Sequence, residues 1–544
     1  MATLTGTPFD DTLSGGDGDD RITGLAGRDL LLAGGGADVL DGGDGFLDGL
    51  FGGAGDDLLR DPDGAASVYG GAGADTIDIA FAQGWRNEAG SAVGPAISGD
   101  RGDDWISVTL ADPAMEIELV GDPRGDSGAF GGNDTIVVAG TYGLVIGDLG
   151  AGDDVFRGGD FRDNADGGAG RDYLDGSGGA DNLAGGSEDD LVAGGSGGDA
   201  LSGGDGFLDT LLGGADDDLL SDADGVGMAA GGRGNDTINL IFSAEWDDDD
   251  FAGTEAVVDG ISGDLGDDSI LFYGGSGAAI VILGDGAAPS AGDGDDTILI
   301  SPDAFYSGST ILAGGGHDDV TGSNGRDMVV GGDGFDVIIG REGADTLDGG
   351  ADGDFLVGGV DADLLIGQTG HDSLWGDQFL GFGGGGTTEG DGADTLLGGP
   401  GDDVIVAGGG ADLAYGGSGR DALYGGREGS TAMFGGLGDD SYYIGVGDGT
   451  ATIVEDGTDD ADDYLVFYWG SGSGPYQRLG PDDVRIFDNE DGTWGAFFLD
   501  GSGGTTFTPG AIRRINIYDV GENLMPGGGD DRVFIYVWDG SAYV

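Results

Sequence analysis

Gly167-Gly-Ala-Gly-Arg-Asp172-Tyr-Leu174-Asp175 is a nine-residue phrase that opens again at Gly176, Gly185 and Gly194. It returns at Gly331, Gly340, Gly349, Gly358 and Gly367, with aspartate at the sixth place and Ile338, Leu347, Leu356, Leu365 and Leu374 at the eighth. The phrase, GGxGxDxUx with U a large apolar residue, recurs from Gly15 almost to Tyr443. Glycine permits backbone angles closed to other residues, so the first six residues can form a tight turn with inward carbonyls and one carboxylate. The last three read as a short strand whose period-two alternation sends U to one face, which becomes the core. Hard oxygen ligands without nitrogen or sulfur suit calcium. A disordered linker could share the composition, 130 glycines in 544 residues, but it has no use for the phase of the eighth position.

In this register the phrase resembles the RTX (repeats-in-toxin) calcium-binding nonapeptide, over roughly residues 9 to 445. The resemblance implies an all-β fold: a calcium-stabilised parallel β-roll solenoid with two nines per coil, about twenty coils in all, and a small C-terminal β domain. It also implies calcium as a structural cofactor, many ions lying between turns stacked on the same side. The implied ligands are the turn carbonyls and the sixth-place aspartates. In the first half these are Asp20, Asp29, Asp38, Asp57, Asp75, Asp104, Asp134, Asp154, Asp172, Asp181, Asp190, Asp199, Asp218, Asp236 and Asp268. In the second they are Asp296, Asp318, Asp327, Asp336, Asp345, Asp354, Asp363, Asp372, Asp394, Asp403, Asp412, Asp421 and Asp440.

A net charge of −85 would drive the metal-free chain apart, so folding should be coupled to metal binding. Extracellular calcium modules typically bind at about 10⁻⁴ to 10⁻³ M, which suits a chain unfolded inside the cell and folded outside. There is no cysteine, so calcium replaces disulfides as the staple, and all 19 basic residues are arginine. Met1 to Asp10 lacks the basic start and apolar run of a cleavable leader, and no apolar stretch is long enough to span a bilayer. The resemblance therefore implies type I secretion machinery as a partner, and a secreted, cell-surface location on a bacterium. Val533 to Val544 is a candidate signal for that route, although a buried final strand explains it equally well.

Above the nines lies a second repetition. Gly42-Gly-Asp-Gly-Phe-Leu-Asp48 recurs as Gly203-Gly-Asp-Gly-Phe-Leu-Asp209, both ten-residue variants. Asp61-Pro-Asp-Gly64 matches Asp222-Ala-Asp-Gly225, each opening a nine that has lost its sixth-place aspartate to Ala66 or Gly227. Roughly 160 residues are duplicated, with wide-loop inserts at 79–148 and 240–312. In each insert one side keeps its calcium turns while the other carries loops bearing Trp85, Arg86 and Met115, or Trp246 with Asp247 to Asp250. Such loops on a solenoid either carry function or tuck back as a lid. Counting half-coils from Gly70 to Gly231 gives seven and a half coils, which places the two sets of loops on opposite edges. The loops at 79–96 and 240–260 are then expected to make lateral contacts.

After Tyr443 the nines vanish and aromatics crowd in. The domain reading is a lead-in at 1–14, the roll at 15–445, and a β domain at 446–544 that caps the roll and could carry secretion or assembly. Asp488-Asn-Glu-Asp-Gly492 between two apolar runs signals a hairpin.

No zinc helix, no Cys/His cluster and no nucleophile-elbow context occurs. His317 and His371, the only histidines, fall at the variable fifth place and read as turn residues. Arg124-Gly-Asp126 resembles an integrin-binding tripeptide, but Arg101-Gly-Asp103 inside a repeat turn shows how readily this alphabet makes one. The acidity excludes a nucleic-acid partner. The first nine opens at Gly15, leaving no room before it for an enzyme domain. The expectation is a non-enzymatic structural protein that self-associates into a surface layer, filament or extracellular matrix. The alternative is a calcium-dependent adhesin that binds a cell-surface glycan or another surface component, with an enzyme in the C-terminal region a distant third.

Overall fold

The structure, a computed structural model, describes residues 1–83, 85–86, 93–112, 115–122, 131–140, 143–206, 208–223, 225–242, 257–274, 279–285, 294–302, 308–377, 392–425 and 430–445. Beyond these it describes the strands Thr450–Ile453, Asp463–Tyr468, Val484–Asp488, Trp494–Phe498, Gly504–Phe507, Ile512–Ile517 and Val533–Ile535. Every regular element among the described residues is a β-strand, and the fold is a parallel β-solenoid of about 20 turns. The chain divides into two compact units, Met1–Asp250 with Val258–Gly275, and Phe251–Val257 with Ser276–Val544.

Within each unit successive strands alternate between two parallel sheets, each strand pairing with the one two places on. In the first unit Asn182–Ser187 pairs with Ala200–Asp205, while Leu191–Ser196, between them in sequence, pairs with Asp209–Ala215 in the other sheet. In the second unit Met328–Asp333 pairs with Thr346–Ala351, and Val337–Glu342 with Phe355–Val360. Each nine is therefore half a coil. The eighth-place side chains form the core: Leu174, Val192, Ile338, Leu347, Leu356, Leu365 and Leu374 are all 0 % exposed. Burying one such side chain contributes about 1.5–3 kcal/mol, and the period delivers one every nine residues.

Most strands are longer than the three residues expected. Pairing runs Leu191↔Thr210, Val192↔Leu211, Ala193↔Leu212, omits Gly194, and resumes at Gly195↔Gly214. The residue left out is the first glycine of the nine. The second glycine takes left-handed angles (Gly195, φ 110°), and a Cβ there would come within 3.0 Å of the carbonyl of Ser177 on the coil before. The kink leaves the first-place carbonyl out of the ladder: the oxygen of Gly194 lies 2.7 Å from where a Cβ on Gly176 would stand.

Coil pairing begins before Gly15 and continues beyond 445. Thr3–Thr5 pairs with Arg21–Ala26, and Thr12–Asp17 with Leu30–Gly35. Ser441–Gly445 pairs in parallel with Asp463–Tyr468, which pairs in parallel with Ile512–Ile517. Among the described residues antiparallel pairing enters only with Val484–Asp488 against Trp494–Phe498, the hairpin signalled at Asp488 to Gly492, and with Trp494–Phe498 against Gly504–Phe507 and Ile512–Ile517 against Val533–Ile535.

The duplicated blocks use the sheets in opposite order. Thr76–Phe81 lies in the sheet that holds Asp209–Ala215, and its counterpart Thr237–Phe242 lies in the sheet that holds Asn182–Ser187. Ala65–Ala72 and Val226–Arg233 are the eighth and twenty-third strands, an odd separation of fifteen half-coils, as the count of seven and a half coils requires.

The loop residues of the first block need correction. Trp85 is 2 % exposed and Met115 1 %, so neither is presented to a neighbour. The Trp85 ring meets Phe81 edge-on at 5.2 Å between centroids, and its Nε1–H donates to the carbonyl oxygen of Gly64 at 3.3 Å. Arg86 donates to the carboxylate of Asp112 at 2.7 Å. The indole is a lid over the turn that lost its aspartate at Ala66, because an apolar ring of that size is better buried than wet. Trp246, the run Asp247 to Asp250, the Arg124-Gly-Asp126 tripeptide and residues 536–544 of the tail lie outside the described residues.

Candidate metal centre

The first glycine of each nine, the sixth-place aspartate and the corresponding glycine one coil on are brought to one point. A Cβ placed on Gly185 would come within 3.0 Å of both the Asp190 Oδ2 and the carbonyl oxygen of Gly203. The same holds at Gly52 with Asp57 and Gly70, at Gly176 with Asp181 and Gly194, at Gly331 with Asp336 and Gly349, and at Gly416 with Asp421 and Gly435. Each turn is thus a cradle of oxygens that only glycine leaves open.

All 28 sixth-place aspartates are no more than 6 % exposed. One carboxylate oxygen is spent on alignment. The Asp20 N–H donates to Asp38 Oδ1 at 2.5 Å, Asp38 to Asp57 at 2.8 Å and Asp57 to Asp75 at 2.8 Å. Along the other edge Asp163 donates to Asp181 at 2.7 Å, Asp181 to Asp199 at 2.7 Å and Asp199 to Asp218 at 2.8 Å. In the second unit the chain of donors runs Asp296, Asp318, Asp336, Asp354, Asp372, Asp403, Asp421, Asp440 on one edge. On the other it runs Asp327, Asp345, Asp363, Asp394, Asp412. Through the wide-loop coils of the first block one edge keeps its ladder, Asp75 to Asp104, Asp134 and Asp154, as expected.

The other oxygen, Oδ2, is buried and meets no donor. This is so in the first unit at Asp29, Asp38, Asp57, Asp75, Asp104, Asp134, Asp154, Asp172, Asp181, Asp190, Asp199, Asp218 and Asp236. In the second unit it is so at Asp318, Asp336, Asp345, Asp354, Asp363, Asp372, Asp403 and Asp421. Asp268, Asp296, Asp394, Asp412 and Asp440 occupy the same place in the ladders, at most 3 % exposed. Burial pushes these acids up: Asp75, Asp172 and Asp345 to about 7, Asp104 and Asp181 to about 8, Asp134 and Asp363 to about 9. Charge on neighbouring aspartates adds to the rise, and the ladder N–H opposes it. A buried, donorless carboxylate oxygen beside backbone carbonyls fits a hard divalent cation. Among the described residues no three carboxylate or imidazole side chains converge, so the remaining ligands must be carbonyls, as calcium accepts.

Three of the expected ligands sit in closed turns. Asp327 Oδ1 accepts from the N–H and hydroxyl of Ser309 at 2.6 and 2.7 Å, and Oδ2 from the Ser323 N–H at 2.7 Å. Beside it Arg341 Nη1 donates to the carbonyls of Ile300 at 2.6 Å and Gly322 at 2.9 Å, so that turn carries its own cation. Asp20 accepts from the N–H groups of Ala2 and Gly16, and the Ala2 bond holds its carboxyl below the ordinary value. In the remaining one, Asp412, the Thr431 hydroxyl approaches Oδ2 at 3.4 Å.

Other carboxylates in the ladders were missed. Asp11 stands one nine before the first phrase and receives no sixth-place reading from GTPFDD, yet its N–H donates to Asp29 Oδ1 at 2.8 Å. Asp48 and Asp209 take the sixth-place role from the seventh position of ten-residue repeats, accepting from Asp29 and Asp190 at 2.7 Å each. Asp163 does so from a turn with Phe161 at the fourth place. Asp122 and Asp285 enter from the second place, accepting from the N–H of Gly132 at 2.9 Å and of Gly315 at 2.7 Å. The fifth place is also less variable than it reads. Asp19 and Asp153 accept the fifth-place N–H of the next coil at 3.1 and 3.0 Å. His317 and His371 do the same through Nδ1, each at 2.8 Å, to Phe335 and Asp402. The histidines are turn residues chosen for an acceptor.

The model of the RTX calcium-binding nonapeptide repeat matches residues 3–31, 14–46, 51–78, 148–183, 175–207, 309–329, 321–356, 357–378 and 390–427. The chain carries RTX calcium-binding nonapeptide repeats over these stretches, with 79–147 and 208–308 between them unmatched, and such repeats are structural, not catalytic. No curated protein matches the chain.

Proposed function

We propose that this is a secreted structural protein that leaves the cell unfolded through a type I machinery, folds around calcium outside, and self-associates into a surface layer, filament or matrix. One observation carries it: turn after turn buries a carboxylate oxygen without a donor, in a chain of net charge −85. Each such oxygen costs about 1–3 kcal/mol or more if left unmet, so the roll needs a cation in most of its turns. Calcium at extracellular concentration meets that need and resting cytosol does not. The coils beyond 445, with their antiparallel strands, act as the cap of the roll and the assembly or export element. Electron microscopy of the purified chain with and without millimolar calcium tests the assembly. Ordered sheets or filaments only with calcium are expected; folded but dispersed particles would overturn assembly while leaving calcium-driven folding in place.

A further inference from the structure

Tyr424 and Tyr443 stand opposite each other near the end of the nonapeptide run. Ala422–Tyr424 pairs in parallel with Ser441–Gly445, in the register Ala422↔Ser441, Leu423↔Tyr442 and Tyr424↔Tyr443. Period-two alternation buries Leu423 and Tyr442, both 0 % exposed, and sends Tyr424 and Tyr443 to the outer face, where each is half-buried. Their rings lie 4.3 Å apart between centroids and 9° from parallel. Unconstrained aromatic pairs settle at about 4.5–7 Å, offset or edge-on, so it is the backbone ladder beneath that holds these two face to face. Burial, the charge of the neighbouring phenol and a hydrogen bond between the two hydroxyls hold the Tyr424 phenol above its ordinary pKa. Among the described residues no other two tyrosines stack: Tyr415 meets Phe434 at 4.5 Å and 8°, and Tyr69 meets Phe51 at 5.4 Å and 16°.

We propose that Tyr424 and Tyr443 form an oxidative modification site, at which a peroxide-driven one-electron oxidant of the peroxidase class joins the two rings as dityrosine and staples adjacent coils covalently. Each phenol gives up one electron and its hydroxyl proton, leaving a radical whose unpaired electron is shared with the ring carbons beside the oxygen. One carbon–carbon bond forms between two such carbons, and the hydrogens they carried move to the oxygens as both rings regain aromaticity. In sum two electrons and two protons pass to one peroxide, which leaves as two waters. Stacking serves the first bond, because radical carbons couple through the faces of their rings. The product then needs the rings to turn out of parallel, which a half-exposed place on the outer face allows. The chain has no cysteine, so no disulfide can make this link and no thiol competes for the oxidant. The bond would fix the ladder step from Asp421 to Asp440 without metal, by closing a short loop that the unfolded chain could otherwise open. From the proposed function the inference takes only the extracellular location, where such oxidants act, and the geometry is tested without it.

The test oxidises the full chain, in millimolar calcium at neutral pH, with a haem peroxidase and hydrogen peroxide, while a free tyrosine-containing peptide in a parallel tube confirms that the oxidant couples phenols. Monomer is isolated and cut at arginine, which releases Tyr424 as the only tyrosine of residues 421–427. Mass spectrometry should find this peptide joined to the one that carries Tyr443, two hydrogens lighter than their sum, with fragmentation placing the bond at Tyr443. Tyr443→Phe keeps a ring in the stack and should lose the product, as should Tyr424→Phe, while Tyr415, which faces a phenylalanine, should stay uncoupled. As calcium is then withdrawn, hydrogen-exchange protection at 422–424 and 441–445 should be lost at a lower free calcium in the cross-linked chain than in the Tyr443→Phe chain oxidised in the same way. Monomer without dityrosine, Tyr424 joined to a different tyrosine, or a product that survives Tyr443→Phe would overturn the site. A cross-link at Tyr443 with equal calcium midpoints for those strands would overturn its role as a staple.

Discussion

Arg341 Nη1 lies 2.9 Å from the carbonyl oxygen of Gly322, the first glycine of the turn in which Asp327 has both oxygens met by donors. The position of that guanidinium, on a first-place carbonyl, corresponds to what a metal ion would touch in an ordinary turn. Arg341 stands at a second place where φ is 89°, at a cost of about 1 kcal/mol against glycine. Two hydrogen bonds from a charged donor, at about 1.5–3 kcal/mol each before solvent exposure is counted, outweigh that strain. Arg341→Gly should therefore destabilise the second unit by about 1–2 kcal/mol in urea titrations at fixed free calcium. An unchanged or raised midpoint would show that backbone strain dominates.

Removing one ordinary ligand should have opposite signs with and without metal. Asp172→Asn keeps the shape of the side chain but takes away one buried negative charge. In calcium the variant should lose on the order of 1–3 kcal/mol of stability. In chelator it should hold slightly more strand structure than the wild type, because one uncompensated charge is gone. Parallel losses in both conditions would contradict a metal role for that oxygen.

Filling one cradle tests the geometry without touching a carboxylate. In Gly185→Ala the new methyl would occupy the space between Asp190 Oδ2 and the carbonyl of Gly203. Calcium stoichiometry should fall and stability in calcium should drop, read as a lower thermal midpoint, the loss outweighing the gain of up to about 1 kcal/mol that the same change gives where glycine is conformationally unneeded. Unaltered stoichiometry by metal analysis would place the ions elsewhere.

Acid should partly replace calcium. Burial raises Asp75 and Asp172 to about 7, Asp104 to about 8 and Asp134 to about 9, from an ordinary 3.8. Raised values in the folded state mean the metal-free roll binds more protons than the unfolded chain. The stability this gives is fully present below about pH 4 and is lost as pH rises through about 7 to 9. In chelator, strand signal should be greatest in acid and fall toward neutrality. With calcium present, protons and metal compete for the same oxygens, so the calcium midpoint should rise as pH is lowered from 8 to 5. A midpoint that does not move with pH would refute protonation of the cradles.

The period made the fold legible, since apolar residues nine apart can be buried together only if each nine is half a coil. Leu174, Leu183, Val192 and Leu201, at most 1 % exposed, stand where the phase puts them, and the exchange of sheets between Thr76–Phe81 and Thr237–Phe242 follows from counting alone. The site was legible where ligand and phase coincide. Asp48 escaped because an inserted residue shifts it out of phase, Asp61 and Asp122 because they stand at the first and second places of their turns, and Asp163 because Phe161 replaces the fourth-place glycine, while the stacking of coils returns Asp48 and Asp163 to the ladder. Trp85 escaped for another reason: whether an indole at the head of a loop is buried depends on the empty turn at Gly64, on a different coil and distant in sequence. The acceptor role of His317 and His371 shows only on comparing residues one coil apart, where each imidazole meets the N–H of Phe335 or Asp402.

Calcium titration of the full chain at neutral pH, followed by far-ultraviolet circular dichroism, tests most directly that the buried aspartates hold the roll together only through a metal. The account predicts a largely disordered spectrum in excess chelator and a cooperative gain of strand signal as calcium is added, reversed by chelator. A chain that keeps its full strand signal in excess chelator at neutral pH would contradict it.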